Sequence, residues 1–318
     1  MAKVLAVFGA TGQQGGSIIK YVLEDFDLST KFKIRAITRS PSSERAKQLQ
    51  ESGIEVVQGD VLDETSLRLA LRGAHFVFIM TTPRYGLHRR NEYDFDSEYV
   101  NGKRIADIAV AMGAEYIIFS TQPAAQDISD GKYNSIVPLD AKAYIEQYIR
   151  SLPVRSAFYS PGFFMQDSGR VPWLAPWSSA DGPWQVRSPM SPRTRIPLID
   201  AVADTGKIVG TILADPDRYK GTVFCAAASL YNLEDIAAAL SRSSGESVIA
   251  KQVSNEEFSN MMPVAPRTWI ETFAYIEEFG YYGPRTVALV DWAKQNNRDR
   301  LTSLDEYLVT HPVRLARR

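Results

Sequence analysis

The chain has 318 residues, 36 basic and 37 acidic. It is long enough to bury a large core, and it lacks the charge excess that would draw it to nucleic acid or an anionic membrane as a bulk partner. No apolar run approaches the roughly 20 residues that span a bilayer, and a strand expected within three residues of the start leaves no room for a leader peptide. Cys225 is the single cysteine, so no disulfide closes within the chain and a reducing, cytoplasmic setting is expected.

The first element is the apolar run Val4-Leu5-Ala6-Val7-Phe8. It leads into Gly9-Ala10-Thr11-Gly12-Gln13-Gln14-Gly15-Gly16-Ser17, after which apolar residues return at helical spacing. Strand, glycine turn and helix is the order in which a dinucleotide pyrophosphate sits on a helix N-terminus. The spacing is G-x-x-G-x-x-G. Gly9 makes the exit from the strand, Gly12 lets backbone N–H groups approach phosphate, and Gly15 lets the helix pack closely on the sheet. Ala10, Thr11, Gln13 and Gln14 complete the loop that would touch the ligand.

Further strands are expected at 33–38, 54–57, 75–80, 116–120 and 154–159, with helices near 14–24, 42–52, 64–72, 97–112 and 140–150. This alternation predicts an α/β fold, a doubly wound parallel sheet with right-handed helical crossovers, over residues 1–160. Residues 161–318 then form a smaller, mixed α+β substrate or lid region with elements returning to the first sheet. Its segment 168–197 is rich in proline and holds Trp173, Trp177 and Trp184, three of the five tryptophans. The expectation there is an ordered loop over the ligand site. Helices are expected at 201–213 and 231–243, and Ser254 to Glu257 and Ser303 to Glu306 fit the capping box. Thr222-Val223-Phe224-Cys225-Ala226 is strand-like, which marks Cys225 as a small core residue.

The end of the second strand bears on which dinucleotide is preferred. An NAD site places an acid there to accept from the ribose 2′-hydroxyl. This chain reads Ile34-Arg35-Ala36-Ile37-Thr38-Arg39-Ser40. Arg39, helped by Ser40, Ser42 or Ser43, instead suits a 2′-phosphate, so NADP(H) is the expected cofactor. Gly59-Asp60-Val61 closes the third strand where the adenine edge would lie, and Asp63 reads as a helix cap.

The glycine loop, Thr38-Arg39, Val57-Gln58-Gly59-Asp60, Ile196-Pro197-Leu198-Ile199-Asp200 and Asp204-Thr205-Gly206-Lys207 together resemble the NmrA-like family, atypical members of the short-chain dehydrogenase/reductase superfamily. The resemblance covers most of the chain, including Asp215 to Gly221 and the stretch from Phe258 to Tyr282. It implies an NADP-binding Rossmann-like fold with a smaller C-terminal part, and an activity that is either metabolic reduction or cofactor sensing without turnover.

Ordinary short-chain reductases use Tyr-x-x-x-Lys after the fifth strand, the lysine easing proton donation by the tyrosine. Tyr99-Val100-Asn101-Gly102-Lys103 matches that string but precedes the strand at 116–120, so it is expected on an outer or interface face. In the right context the chain reads Val137-Pro138-Leu139-Asp140-Ala141-Lys142, with Pro138 where the tyrosine would be. Lys142 resembles the family's lysine, which contacts the nicotinamide ribose and in the reductases can serve as acid/base group. Thr81, Thr82 and Pro83, then Ser120, Thr121 and Gln122, follow strands whose ends would surround the nicotinamide. The stretch from Tyr159 to Gln166 follows the sixth, where family members contact the nicotinamide end, so Phe163, Met165 and Gln166 join the expected cofactor site. Tyr133 offers a displaced phenol. His75, His88, beside Arg89 and Arg90, and His311 compose no metal or hydrolase site.

The sequence thus reads as an NADP-dependent reductase of an apolar aromatic or polyketide-like carbonyl or conjugated substrate, under an aromatic lid of Phe163, Phe164 and the tryptophans. The rival is an NADP(H)-sensing regulator, in cytoplasm or nucleus, that exchanges protein partners. A third reading has the cofactor serving isomerisation or cyclisation. A homodimer is compatible with each.

Overall fold

The computed structural model describes residues 2–83, 93–168, 171–178 and 182–315; His88, Arg89 and Arg90 lie outside them. Apolar strands alternate with amphipathic helices in the first half: β1 (Lys3–Phe8), α1 (Gln13–Glu24), α2 (Phe26–Lys31), β2 (Phe32–Thr38), α3 (Glu44–Glu51), β3 (Glu55–Gln58), α4 (Glu64–Leu71), β4 (Phe76–Ile79), α5 (Phe95–Ala111), β5 (Tyr116–Ser120), the single turn α6 (Ala125–Ile128), α7 (Val137–Ser151) and β6 (Arg155–Pro161). The second half runs β7 (Phe163–Phe164), β8 (Trp184–Ser188), β9 (Ile196–Ile199), α8 (Thr205–Ala214), β10 (Val223–Ala226), β11 (Ser229–Tyr231), α9 (Leu233–Ser244), β12 (Val248–Gln252), α10 (Asn255–Met261), α11 (Pro266–Phe279), α12 (Thr286–Asn296) and α13 (Leu304–Thr310).

Seven parallel strands form the main sheet in the order β10-β6-β5-β4-β1-β2-β3. This is a Rossmann-like α/β fold. The chain winds outward from β1 to β3 and then restarts at β4, so a crevice opens above the carboxyl ends of β1 and β4, where such sheets bind ligands. β4 and β5 are buried along their whole length, as expected for strands covered on both faces. One face carries Ile18, Ile19, Val22, Ile208, Val209 and Ile212 from α1 and α8. The other carries Leu67, Ile105, Ile108 and Ile145 from α4, α5 and α7. The Gly206 N–H of α8 donates to Ser17 Oγ of α1 at 2.9 Å, which fixes the second half against the glycine-loop helix.

The proline-rich segment departs from expectation. It contains β8, parallel to β12, and β9, the centre of a three-stranded sheet with β11 and β7. Pro197 fits in β9 because it lies opposite Leu230, beyond the end of β7, which begins opposite Leu198. The Pro197 nitrogen therefore lacks a ladder bond that no neighbour on that side would have received. Trp173 and Trp184 are core residues, 1% and 6% exposed, and the Trp177 indole donates to the Pro172 carbonyl. These residues pack inside the C-terminal body; they do not form a lid.

Local signals give other boundaries. Asp63 caps α4 by accepting from Ser66 N–H, and Ser303 with Glu306 forms a complete capping box on α13. Ser254 caps α10 alone, with no reciprocal bond from Glu257. α8 starts at Thr205, later than expected, because the Asp200 carboxylate takes the N–H groups of Val202 and Ala203 in a preceding turn. Cys225 lies buried in β10, and burial pushes its thiol up to about 12, which leaves it inert. Among the described residues no helix is long and apolar enough to cross a membrane.

Candidate functional site

The glycine loop is built by backbone contact. Gly9 leaves β1 with φ +66°, in the left-handed region, and the Gly12 N–H donates to its carbonyl at 2.8 Å. A Cβ on Gly15 would stand 2.3 Å from the Gly9 oxygen, so only glycine lets α1 pack this closely on the strand end. Gly12 caps α1 without a side-chain bond, and the first turn carries no acid. Its N–H groups and the positive end of the helix therefore face the crevice uncompensated, which suits an anion.

A cavity of about 570 Å³ runs from this loop along the carboxyl ends of the strands. Gly9, Thr11, Gly12, Gln13, Gln14 and Gly15 form its middle. Arg39, Ser40 and Ser43 border it beyond β2, and Val61 beyond β3. Met80, Thr81 and Thr82 close it after β4, with Glu98, Asn101 and Ile105 of α5. Its shape and chemistry fit an elongated dinucleotide with a phosphate in the middle and a second anion near Arg39. Gln14 Oε1 is buried without a hydrogen-bond partner among the described residues, an acceptor suited to a hydroxyl or amide of such a ligand. A larger hollow of about 860 Å³ flanks the loop on its other side, lined by Ala10, Arg45, Gln48, Gln166, Ser168 and His311 among others. It does not reach the ends of β2 and β4, so it cannot take the same ligand.

Lys142, in the second turn of α7, lies behind the cavity wall. Its ammonium donates to Glu98, and the Thr81 hydroxyl donates to the same carboxylate oxygen at 2.6 Å. Burial holds the Lys142 pKa below the ordinary lysine value, while the Glu98 charge opposes the shift. The side chains of Lys142 and Glu98 are 12% and 1% exposed. A carboxylate that sequence reasoning passed over is thus the link between the expected lysine and the cavity. Its signal was weak: Asp96 and Glu98 in the first turn of a helix capped by Asp94 read as ordinary complements of the helix dipole.

The other expected site residues are placed as follows. Asp60 turns its carboxylate to the Leu62 N–H, and its neighbours Gly59 and Val61, not Asp60 itself, line the cavity. Pro83 is half-buried beside the cavity without lining it. Thr121 donates to the Lys142 carbonyl at 3.4 Å, and Gln122 is held between the Tyr281 hydroxyl and the Pro161 carbonyl. Phe163 and Met165 do not line the cavity. Phe163 packs against Trp173, Tyr281 and Trp269, with ring centres 4.8, 5.1 and 6.4 Å apart, and Met165 is fully buried. Gln166 is engaged with Asp200 and the Ala201 N–H and borders the larger hollow. Tyr133 is no cavity phenol, because its hydroxyl donates to Glu278 at the surface. Tyr99 and Lys103 lie on the outer side of α5, where the Lys103 ammonium sits 5.3 Å from the Tyr99 ring centre and 4.2 Å from that of Tyr148.

Comparison with known proteins agrees with this architecture. The model of the NmrA-like family matches residues 1–308. The chain is 28% identical over 258 residues to the NmrA-like family domain-containing oxidoreductase FrzB of Cladobotryum sp., covering 77% of this chain and 75% of that one. Among solved structures it is similar to NmrA, a negative transcriptional regulator, in complex with NADP, with a TM-score of 0.74, 23% identity and coverage of 98% and 97%. It is also similar to the triphenylmethane reductase of Citrobacter sp. complexed with NADP(H), with a TM-score of 0.73, 21% identity and coverage of 96% and 99%.

Proposed function

The chain belongs to the NmrA-like family, whose similar proteins include oxidoreductases and a regulator, and on that premise we propose that it is an NADP(H)-dependent reductase. Its substrate is a small apolar molecule, an aromatic or polyketide-like carbonyl or conjugated system of secondary metabolism. Residues 1–160 hold the cofactor and 161–318 supply the substrate side. The observation that carries this reading is the Thr81–Glu98–Lys142 cluster against a glycine-loop cavity whose far end holds Arg39, Ser40 and Ser43. The cluster stands at the carboxyl end of β4, where open α/β sheets bind their ligands.

NADPH bound there would supply a hydride. The α1 N-terminus and glycine N–H groups would take the pyrophosphate, and Arg39 with the serines the 2′-phosphate. Lys142, desolvated and charge-paired, is suited to hydrogen-bond the ribose and to give a proton to the oxygen of the reduced carbonyl. The enzyme is expected in the cytoplasm.

One observation favours a regulator instead. Phe163, Trp173, Trp269, Phe273 and Tyr281 interlock where an aromatic substrate pocket was expected. A sensor, cytoplasmic or nuclear, would fill that place and bind a protein partner or a second copy through its surface. Purified protein with NADPH and a panel of aromatic aldehydes, quinones and enones separates the two. The reductase oxidises NADPH with at least one class. Tight NADPH binding without turnover across the panel supports the sensor.

A further inference from the structure

Glu98 is a buried carboxylate at the cavity wall. Its side chain is 1% exposed, yet it lines the cavity. Its Oε1 takes the Thr81 hydroxyl and the Lys142 ammonium, and its Oε2 receives no donor among the described residues. A carboxylate accepts through both oxygens, and a buried one left half-used is costly unless another donor arrives. Oε2 is not among the fully buried side-chain atoms left without a partner, so it is open to a donor arriving in the cavity. Asn101, one turn along α5, reaches the same wall, so the helix turns two hydrogen-bonding side chains toward the ligand space at i and i+3 spacing.

The wall formed by Thr81, Glu98 and Asn101 lies on the β4 side of the glycine loop, opposite Arg39. With the 2′-phosphate at Arg39 and the pyrophosphate at α1, the donor that reaches this side of a dinucleotide is the diol of its nicotinamide ribose. We propose that Glu98 binds that diol, Oε2 accepting a ribose hydroxyl, while Oε1 positions Lys142 and keeps an anion beside its ammonium. This rests on the NADP(H) reading above. Lys142 then acts on the cofactor through that carboxylate, from behind the cavity wall, in a helix where Pro138 stands in place of a tyrosine. The remaining charged groups nearby are directed elsewhere. Asp140 accepts the Gln126 N–H from α6, and Lys103 lies on the outer side of α5.

Two readouts on the full chain test the proposal. Calorimetry with Glu98→Ala should show NADP+ bound about tenfold more weakly, the size of one charge-assisted hydrogen bond. Adenosine 2′,5′-bisphosphate, which lacks the nicotinamide ribose, should bind this variant and the unmutated protein alike. Equal weakening of both ligands, or unchanged NADP+ affinity, overturns the ribose contact. Should Glu98→Ala not fold, Glu98→Gln carries the same comparison with a loss of about threefold, because a neutral amide oxygen is the weaker acceptor.

For the positioning role, the protein is produced with ¹³Cε-labelled lysine and titrated by NMR, the Lys142 resonance being the one absent from Lys142→Arg. Its pKa should fall by about one pH unit or more in Glu98→Gln, since desolvation then acts without the counter-charge. An unchanged titration overturns this half. The titration needs neither substrate nor cofactor, so failure of the NADP(H) reading, seen as no binding to the unmutated protein, stays distinct from failure of the Glu98 assignment to Lys142.

Discussion

Gly15 and Gly16 are neighbours in α1, and the structure assigns their replacement by alanine opposite signs. A Cβ on Gly15 would lie 2.3 Å from the Gly9 oxygen, 2.6 Å from the Gly9 carbonyl carbon and 2.9 Å from Ala10 Cα. All three atoms are backbone, so no side chain can step aside. Relief requires the helix to lift from the loop by about 1 Å, an overpacking change that costs about 1–3 kcal/mol. A Cβ on Gly16 would meet only the Ala10 oxygen, at 3.6 Å, which is ordinary contact. Alanine there stabilises α1 by about 0.5–1 kcal/mol. At about 2–4 °C per kcal/mol for a chain of this size, scanning calorimetry should show Gly15→Ala melting several degrees below the unmutated protein and Gly16→Ala slightly above it. Gly15→Ala should also weaken NADP+ binding, because the displaced loop carries the phosphate-facing N–H groups. Two melting temperatures shifted alike would refute the close-packing argument for this loop.

Lys142→Ala should reduce turnover, or in a non-enzyme weaken NADP(H) binding, whereas Tyr99→Phe should do neither, because Tyr99 lies on the outer side of α5; steady-state rates and calorimetry check both. Asp140 is buried, and burial pushes its carboxyl from the ordinary 3.8 up to about 6, against the backbone N–H bonds of Gln126 and Ala125. The protonated form is favoured in the folded state, so its contribution to stability is complete below pH ~4, declines as pH rises through ~6, and amounts to about 3 kcal/mol at most. Asp140→Asn keeps a neutral acceptor for Gln126, so melting curves between pH 4 and 7 should show the decline in the unmutated protein and a flatter profile in the variant. Tyr133→Phe should leave NADP(H) affinity unchanged by calorimetry, since its hydroxyl donates to Glu278 at the surface, away from the cavity.

The parts of the molecule legible in sequence are those whose cause is local. The strand, glycine turn and helix of residues 3–24 announce themselves because the positive φ of Gly9 and the approach of Gly12 and Gly15 to its carbonyl are demands made within the same segment. β5 is legible residue for residue, because Tyr116 to Phe119 is an unbroken apolar run that ends at Ser120. β9 was hidden, because Pro197 argues against a central strand unless the shortness of β7 is known. Glu98 was hidden for a tertiary reason: its partner lies 44 residues away on α7, and nothing near residue 98 distinguishes it from a helix-dipole complement. Phe163 and Trp173 carry the composition of a lid, but burial against α11 decides their role, and that packing depends on Trp269 and Phe273 from a distant helix.

If the glycine-loop cavity is an NADP(H) site, Arg39 reads the 2′-phosphate at one end of it. Calorimetric titration of the unmutated protein and of Arg39→Ala with NADP+ and NAD+ tests it most directly. The unmutated protein should bind NADP+ at least tenfold more tightly than NAD+, about 1.4 kcal/mol, and Arg39→Ala should lose most of that preference. Equal affinities for the two cofactors in the unmutated protein, or a preference that survives Arg39→Ala, would contradict it.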